Sequence, residues 1–255
     1  MNNKSLDERL PHLLAYPGDL SPYAIVVGDA QRVKKAEALM EKVRVVGDNR
    51  GYLTITGIYK EQDVTVASHG IGAAGANLCF MELIHGGVKT LIRAGTCGAL
   101  DRKIDDGEFI ITTGAIREDG ATDQLMPIGY PAIADFQVIN ALLKAAYSQG
   151  YDNPHIGLSV SYANFYPSPV LPPPYKRYLG YGAKALEMEL AGLLVVALML
   201  GARAGGILVS DGNMIRGGNT VIDEFRFNPH REEVEAGVLI MLRIALEALV
   251  DLAHG

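Results

Sequence analysis

The chain has 255 residues, a formal net charge of −6, 49% hydrophobic and 20% charged residues and a mean hydropathy of +0.14. An acidic chain lacks the basic face that an extended nucleic-acid backbone demands, although a few placed arginines suffice for a small anion. Two cysteines, Cys79 and Cys97, exclude a disulfide scaffold and fit a reducing, cytoplasmic compartment.

Residues 1–10 are polar and charged, unlike a signal peptide. The apolar run Tyr23–Val27 reads as a strand ending at Gly28-Asp29, followed by a helix over 32–43. Residues 52–58 and 63–68 read as a hairpin, and a glycine loop, 69–75, leads into a helix to about His85. A strand at 88–93 ends in a second such loop, Gly95-Thr96-Cys97-Gly98. Further strands are predicted at 108–113, 155–161, 185–188 and 205–210, with helices at 136–149, 189–200 and 231–253. The segment 167–174 holds five prolines and is predicted to be an ordered loop near the site, because proline fixes φ and removes a donor. The apolar stretch 190–200, bounded by Glu189 and Arg203, is too short for a bilayer and reads as a buried helix. No linker divides the chain, so 1–255 is expected to form a single α/β domain, its mixed or largely parallel sheet covered by helices.

Ligands of open α/β sheets gather beyond the carboxyl ends of strands, and glycine loops follow three of these strands. Gly28 and Arg32 place an arginine at a helix start, where free N–H groups already favour an anion. Arg93 directly follows the apolar run 90–92, and a buried guanidinium requires an anionic partner. Thr96 offers a hydroxyl to the same anion. Glu187 and Glu189 flank a strand end and suit sugar hydroxyls, although Glu189 also fits a first-turn helix acid. Asp211 ends the strand 205–210 and suits a proton donor whose state depends on burial against nearby arginine; a turn-forming Asp-Gly pair is the plainer reading.

In order and combination these segments resemble the nucleoside phosphorylases of the hexameric purine and uridine type, over nearly the whole chain. The motifs are Val27-Gly28-Asp29 with Arg32, Asn49-Arg50-Gly51, Ser68-His69-Gly70-Ile71-Gly72, Ile92 to Gly98, Glu187-Met188-Glu189 and Ser210-Asp211-Gly212. The resemblance implies the nucleoside phosphorylase fold, a central mixed β-sheet, partly barrel-like and flanked by helices. It implies that Gly28, Arg32, Arg93 and Thr96 bind phosphate, with Arg50 reaching in from a neighbouring subunit. His12 would likewise cross the interface to the ribose 5′-hydroxyl; on its own it reads as an exposed N-terminal histidine. Met188 and Glu189 would hold the ribose, and Cys97, Gly98, Phe165, Glu187 and Asp211 would line the base. A homodimer is then the smallest active unit, within a hexamer of three dimers. No metal or organic cofactor is expected, since the histidines and cysteines show no ligand spacing and inorganic phosphate is the co-substrate.

Asp211 matches the acid that protonates the purine in the purine branch, and residues 168–172 lack the Gln and Arg with which uridine phosphorylases read uracil. Purine nucleosides are the expected substrates. Residues 116–120 and 130–135 resemble uridine phosphorylase segments, which keeps uridine as the alternative. A nucleosidase and a non-catalytic nucleoside-binding protein are the remaining rivals. Arg216 or Arg226 is the candidate arginine to assist Asp211.

Overall fold

The computed structural model describes residues 8–166, 168–172, 175–216 and 230–255. Tyr23–Val27 (β1) is followed by Ala30–Glu37 (α1), whose first turn is capped by the Asp29 carboxylate accepting from the Gln31 N–H at 2.9 Å. The helix stops six residues short of its predicted end. Residues Glu41–Asn49 instead form a strand (β2), which the sequence hid because it is a largely exposed edge with no apolar alternation. Tyr52–Tyr59 (β3) and Gln62–Ser68 (β4) make the predicted hairpin, and Ala73–His85 (α2) follows the glycine loop.

The next strand, Thr90–Ala99 (β5), runs straight through Gly95 to Gly98. That segment is therefore strand and not the predicted loop; its glycines serve close approach rather than turning. Phe109–Glu118 (β6), Phe136–Ser148 (α3), His155–Tyr162 (β7), Tyr175–Gly180 (α4), Ala185–Glu187 (β8), Leu190–Leu200 (α5), Arg203–Asn213 (β9) and Glu232–His254 (α6) complete the described elements.

The nine described strands lie in the order β2-β3-β4-β1-β5-β8-β7-β6-β9, and β9 pairs back onto β5, closing the last five into a mixed barrel. β1 runs parallel to both β4 and β5 and is buried on both faces. Its Ile25 and Val27 join the core under α3 and α6, while Ala24 and Val26 join the core under α2 and α5. That two-residue alternation explains a continuous apolar strand. α5 is buried around its first eight residues, consistent with its uniformly apolar sequence. Among the described residues no helix is long and apolar enough to cross a membrane.

Candidate active site

β1 runs parallel to β4 and β5, and β5 to β9; β1 and β4 end level with the middle of β5, so the residues just beyond β1 and β4 meet the later halves of β5 and β9. Arg93, paired with Val26 on one side and Gly206 on the other, is 3% exposed. Its guanidinium folds back along its own strand onto Gly95, where an added Cβ would sit 2.7 Å from Cζ. Nη2 forms an ion pair with Glu189 and lies 3.4 Å from Glu187 Oε2. Nε and Nη1 are buried with no hydrogen-bond partner. Orphaned buried donors cost about 1–3 kcal/mol each, more on a charged group, so this guanidinium is built to receive a further acceptor.

Arg32 approaches from the first turn of α1 and donates through Nη2 to Thr96 Oγ1 at 3.0 Å. Burial, and then the neighbouring charge of Arg93, lower its pKa. Two cations crowded in this way repel unless an anion lies between them. Gly28, directly after β1, faces the glycine loop after β4, where an added Cβ would lie 3.6 Å from the Gly70 carbonyl and 3.7 Å from the His69 ring. His69 is itself buried, edge-on to Phe80, with Nδ1 2.8 Å from the Gly70 carbonyl and Nε2 without a partner. Burial and the Arg93 charge push its pKa down to about 3, so the ring is neutral.

The two glutamates differ in what they can still accept. Glu187 takes the Ser161 hydroxyl on one oxygen and the Glu189 and Leu190 N–H groups, both at 2.8 Å, on the other. It caps the entrance of α5, and burial raises its pKa despite Arg93. Expected at the base, Glu187 has its acceptors committed to the helix entrance. Glu189 accepts from the Gly72 N–H at 2.7 Å and from Arg93. Burial pushes its carboxyl up, but Arg93 above all, with the Gly72 N–H, outweighs that and holds it below the ordinary carboxylate range.

Asp211 owes its aim to a break in register. Cys97 pairs with Ser210, but Gly98 pairs with Gly212, so Asp211 is the extra residue of a bulge on β9. Its carboxyl meets the Thr96 hydroxyl and the field of Arg32, yet burial prevails and raises its pKa to about 6. Arg231 donates through Nη2 to the Asp211 carbonyl at 2.8 Å and pairs with Asp106. Arg216, expected to assist Asp211, is instead tied to the Arg102 carbonyl and Asp105. Arg226 lies outside the described residues, as does Pro167.

Cys97 is buried with its thiol pKa raised by burial, so it lines the site as a neutral apolar group. Gly98 lies beside the Met214 side chain, and Met188 is half-buried between the two glutamates. Phe165, three residues past the end of β7 and 38% exposed, stacks edge-on against Tyr166. Arg50 stands apart from the cage, exposed at the tip of the β2–β3 hairpin. Its φ of +53°, followed by +86° at Gly51, gives the two-residue turn that keeps this tip tight. His12 packs on Glu82 of α2, away from the cage. Sequence reading missed Ser161, Arg231 and Glu82, which act through contacts between distant elements, and left His69 without a role.

Residues 22–244 match the family model described as the phosphorylase superfamily. The chain belongs to this superfamily. The purine nucleoside phosphorylase of Plasmodium falciparum is 35% identical over 250 residues, covering 97% of this chain and 98% of that protein. The uridine phosphorylase of Thermococcus kodakarensis is 34% identical over 215 residues, covering 80% and 77%. The crystal structure of purine nucleoside phosphorylase from Toxoplasma gondii in complex with immucillin-H superposes with a TM-score of 0.91 at 31% identity, covering 98% and 99% of the two chains. As a phosphorylase superfamily member with this fold, the protein is an enzyme of the pentosyltransferase type.

Proposed function

We propose that the protein catalyses reversible phosphorolysis of purine ribo- and deoxyribonucleosides, giving free base and pentose 1-phosphate, in purine salvage within the cytoplasm. The observation that carries this reading is the buried Arg93 with two orphaned donors, standing between Arg32 and Glu189 and in the same pocket as an Asp211 that burial keeps protonated up to about pH 6. Phosphate sits on Gly28, Arg32, Arg93 and Thr96 as the nucleophile, with no further cofactor. Arg50 of an adjacent copy completes the cage, in keeping with its exposure at the tip of a two-residue hairpin turn. Glu189, held ionised, accepts from the ribose hydroxyls beside Met188 and stabilises the cationic sugar as the glycosidic bond breaks. Asp211 supplies the proton that the departing purine needs. Cys97, Gly98 and Phe165 line the base, with Glu187 beneath holding the start of α5. A homodimer is the active unit and a hexamer of three dimers the assembly.

Inosine and guanosine are expected to be cleaved only when phosphate is supplied, and uridine poorly. Base release from inosine, guanosine, adenosine, uridine and methylthioadenosine, each with and without phosphate, checks this. Cleavage independent of phosphate indicates a nucleosidase, preference for uridine the alternative phosphorylase, and binding without cleavage a nucleoside-binding protein.

Gly95→Ala gives a finer test of the cage. The new methyl overlaps the Arg93 guanidinium and forces it out of its fold-back position. The KM for phosphate is expected to rise about tenfold or more, as for loss of one charge-assisted hydrogen bond, with the KM for nucleoside changed less. Unchanged phosphate saturation would show that Arg93 does not hold the nucleophile.

A further inference from the structure

The carboxylate of Glu82 is buried, and among the described residues its hydrogen bonds go to the N-terminal segment around His12. Oε1 accepts from the His12 N–H at 3.0 Å and lies 2.5 Å from His12 Nδ1. Oε2 accepts from the His12 N–H at 3.0 Å and the Leu13 N–H at 2.9 Å. The His12 carbonyl in turn accepts from Asn49 Nδ2 at 2.7 Å, which fastens the segment to the hairpin whose tip is Arg50. A carboxylate already accepting two backbone N–H groups is an acceptor toward the ring as well, so Nδ1 carries the proton. In the neutral imidazole Nε2 then carries only a lone pair.

We infer that Glu82 is a positioning residue that fixes the His12 ring and its tautomer, so that Nε2 accepts from a donor at the 5′ position of the nucleoside and selects 5′-hydroxyl substrates over those with a 5′-hydrogen or thioether. The inference rests on the proposed placement of His12 at the ribose of an adjacent subunit, and it assigns to Glu82 a role in specificity. A hydroxyl can donate to Nε2, whereas a methyl or thioether cannot, and an acceptor left unmet in the bound complex costs transition-state binding. Had the ring been free, it would adopt either tautomer and accommodate both classes.

The test compares kcat/KM for inosine and 5′-deoxyinosine at saturating phosphate in the wild type, His12→Ala and Glu82→Gln. Glutamine keeps the length of the side chain but offers one acceptor oxygen where the segment presents three donors. The inosine to 5′-deoxyinosine ratio is expected to fall about tenfold in both variants, the size of one hydrogen bond. If His12→Ala leaves the ratio unchanged, the placement of His12 at the ribose fails and the inference with it. If His12→Ala lowers the ratio while Glu82→Gln lowers both substrates equally, or neither, His12 keeps its role and that of Glu82 is overturned. Nitrogen-15 NMR of the His12 ring at pH 8 is independent of turnover. It is expected to show protonated Nδ1 and bare Nε2 in the wild type, with the Nε2–H form gaining in Glu82→Gln. A wild-type ring protonated on Nε2 refutes the inference even in an enzyme that cleaves neither substrate.

Discussion

Asp211→Asn is expected to lower kcat/KM for inosine by about 100-fold or more, the usual worth of a positioned general acid, while stabilising the folded protein at neutral pH. Asparagine keeps the shape of the side chain and cannot deliver a proton to the base. In the wild type the acid works only when protonated, so at saturating phosphate kcat/KM should decline as pH rises above about 6. For one essential proton that decline approaches tenfold per pH unit, and it should be absent from the variant. Full inosine cleavage by Asp211→Asn would remove Asp211 from the chemistry.

The stability arm has the opposite sign. Burial raises the folded-state pKa of Asp211 from 3.8 to about 6, so the fold favours the protonated form. Its contribution is fully present below pH 3.8 and is lost as pH rises through about 6. The amide never ionises and escapes that loss, which allows a gain of about 2 kcal/mol over the wild type above pH 7 after discounting for partial solvent access. Urea unfolding at pH 4 and pH 8 measures it: the gap should open only at the higher pH. A residue that is costly to the fold where it serves chemistry is a familiar trade of active sites.

Arg93→Met is expected to be the most damaging single change. Loss of one preorganised donor group at a reacting centre costs about 100- to 1,000-fold, so phosphate-dependent cleavage should fall by that factor with phosphate no longer saturating. The fold suffers as well, because Glu187 and Glu189 share this cation and are nearly inaccessible to water. Removing one partner from a buried ion cluster costs about 3–5 kcal/mol. With Arg93 gone, the influence that holds Glu189 below its ordinary range disappears, and its carboxyl should take up a proton at higher pH. Part of the lost stability should therefore return on acidification, in contrast to Asp211→Asn. Arg93→Lys restores the charge without the two-pronged donor geometry and should recover stability better than phosphate affinity. A stable Arg93→Met protein with unaltered phosphate kinetics would overturn both the structural and the functional assignment.

The sequence made the alternating architecture legible because β1 is a continuous apolar run, β5 and β9 each contain a shorter one, and α5 is apolar on every side. It concealed β2, whose exposed edge carries charges in place of alternation, and it read Gly95 to Gly98 as a turn because glycine ordinarily marks one. Here Gly95 makes room for a side chain two residues earlier, a contact that only coordinates reveal. Arg32, Arg93, Thr96, Glu189 and Asp211 were legible as individual strand-end and helix-start residues, and the structure brings them together. The commitments of Glu187 to Ser161 and of Arg231 to the Asp211 carbonyl join residues 20 or more positions apart, and no local pattern encodes them.

The bulge at Asp211 divides the site mechanically. From Thr90 to Cys97 the strands β5 and β9 advance in step, so the segment that carries Arg93 and Thr96 rests on a continuous ladder that resists displacement. Beyond Cys97 the ladder slips by one residue, and the chain that follows is no longer bound to the spacing upstream. Insertions, deletions or substitutions past Ser210 can thus reshape the surroundings of Asp211 without transmitting a shift to Arg93. A fixed seat for the proposed phosphate paired with an adjustable far wall would give a scaffold on which base preference is interchangeable, in keeping with relatives of similar identity that are named for purine and for uridine nucleosides.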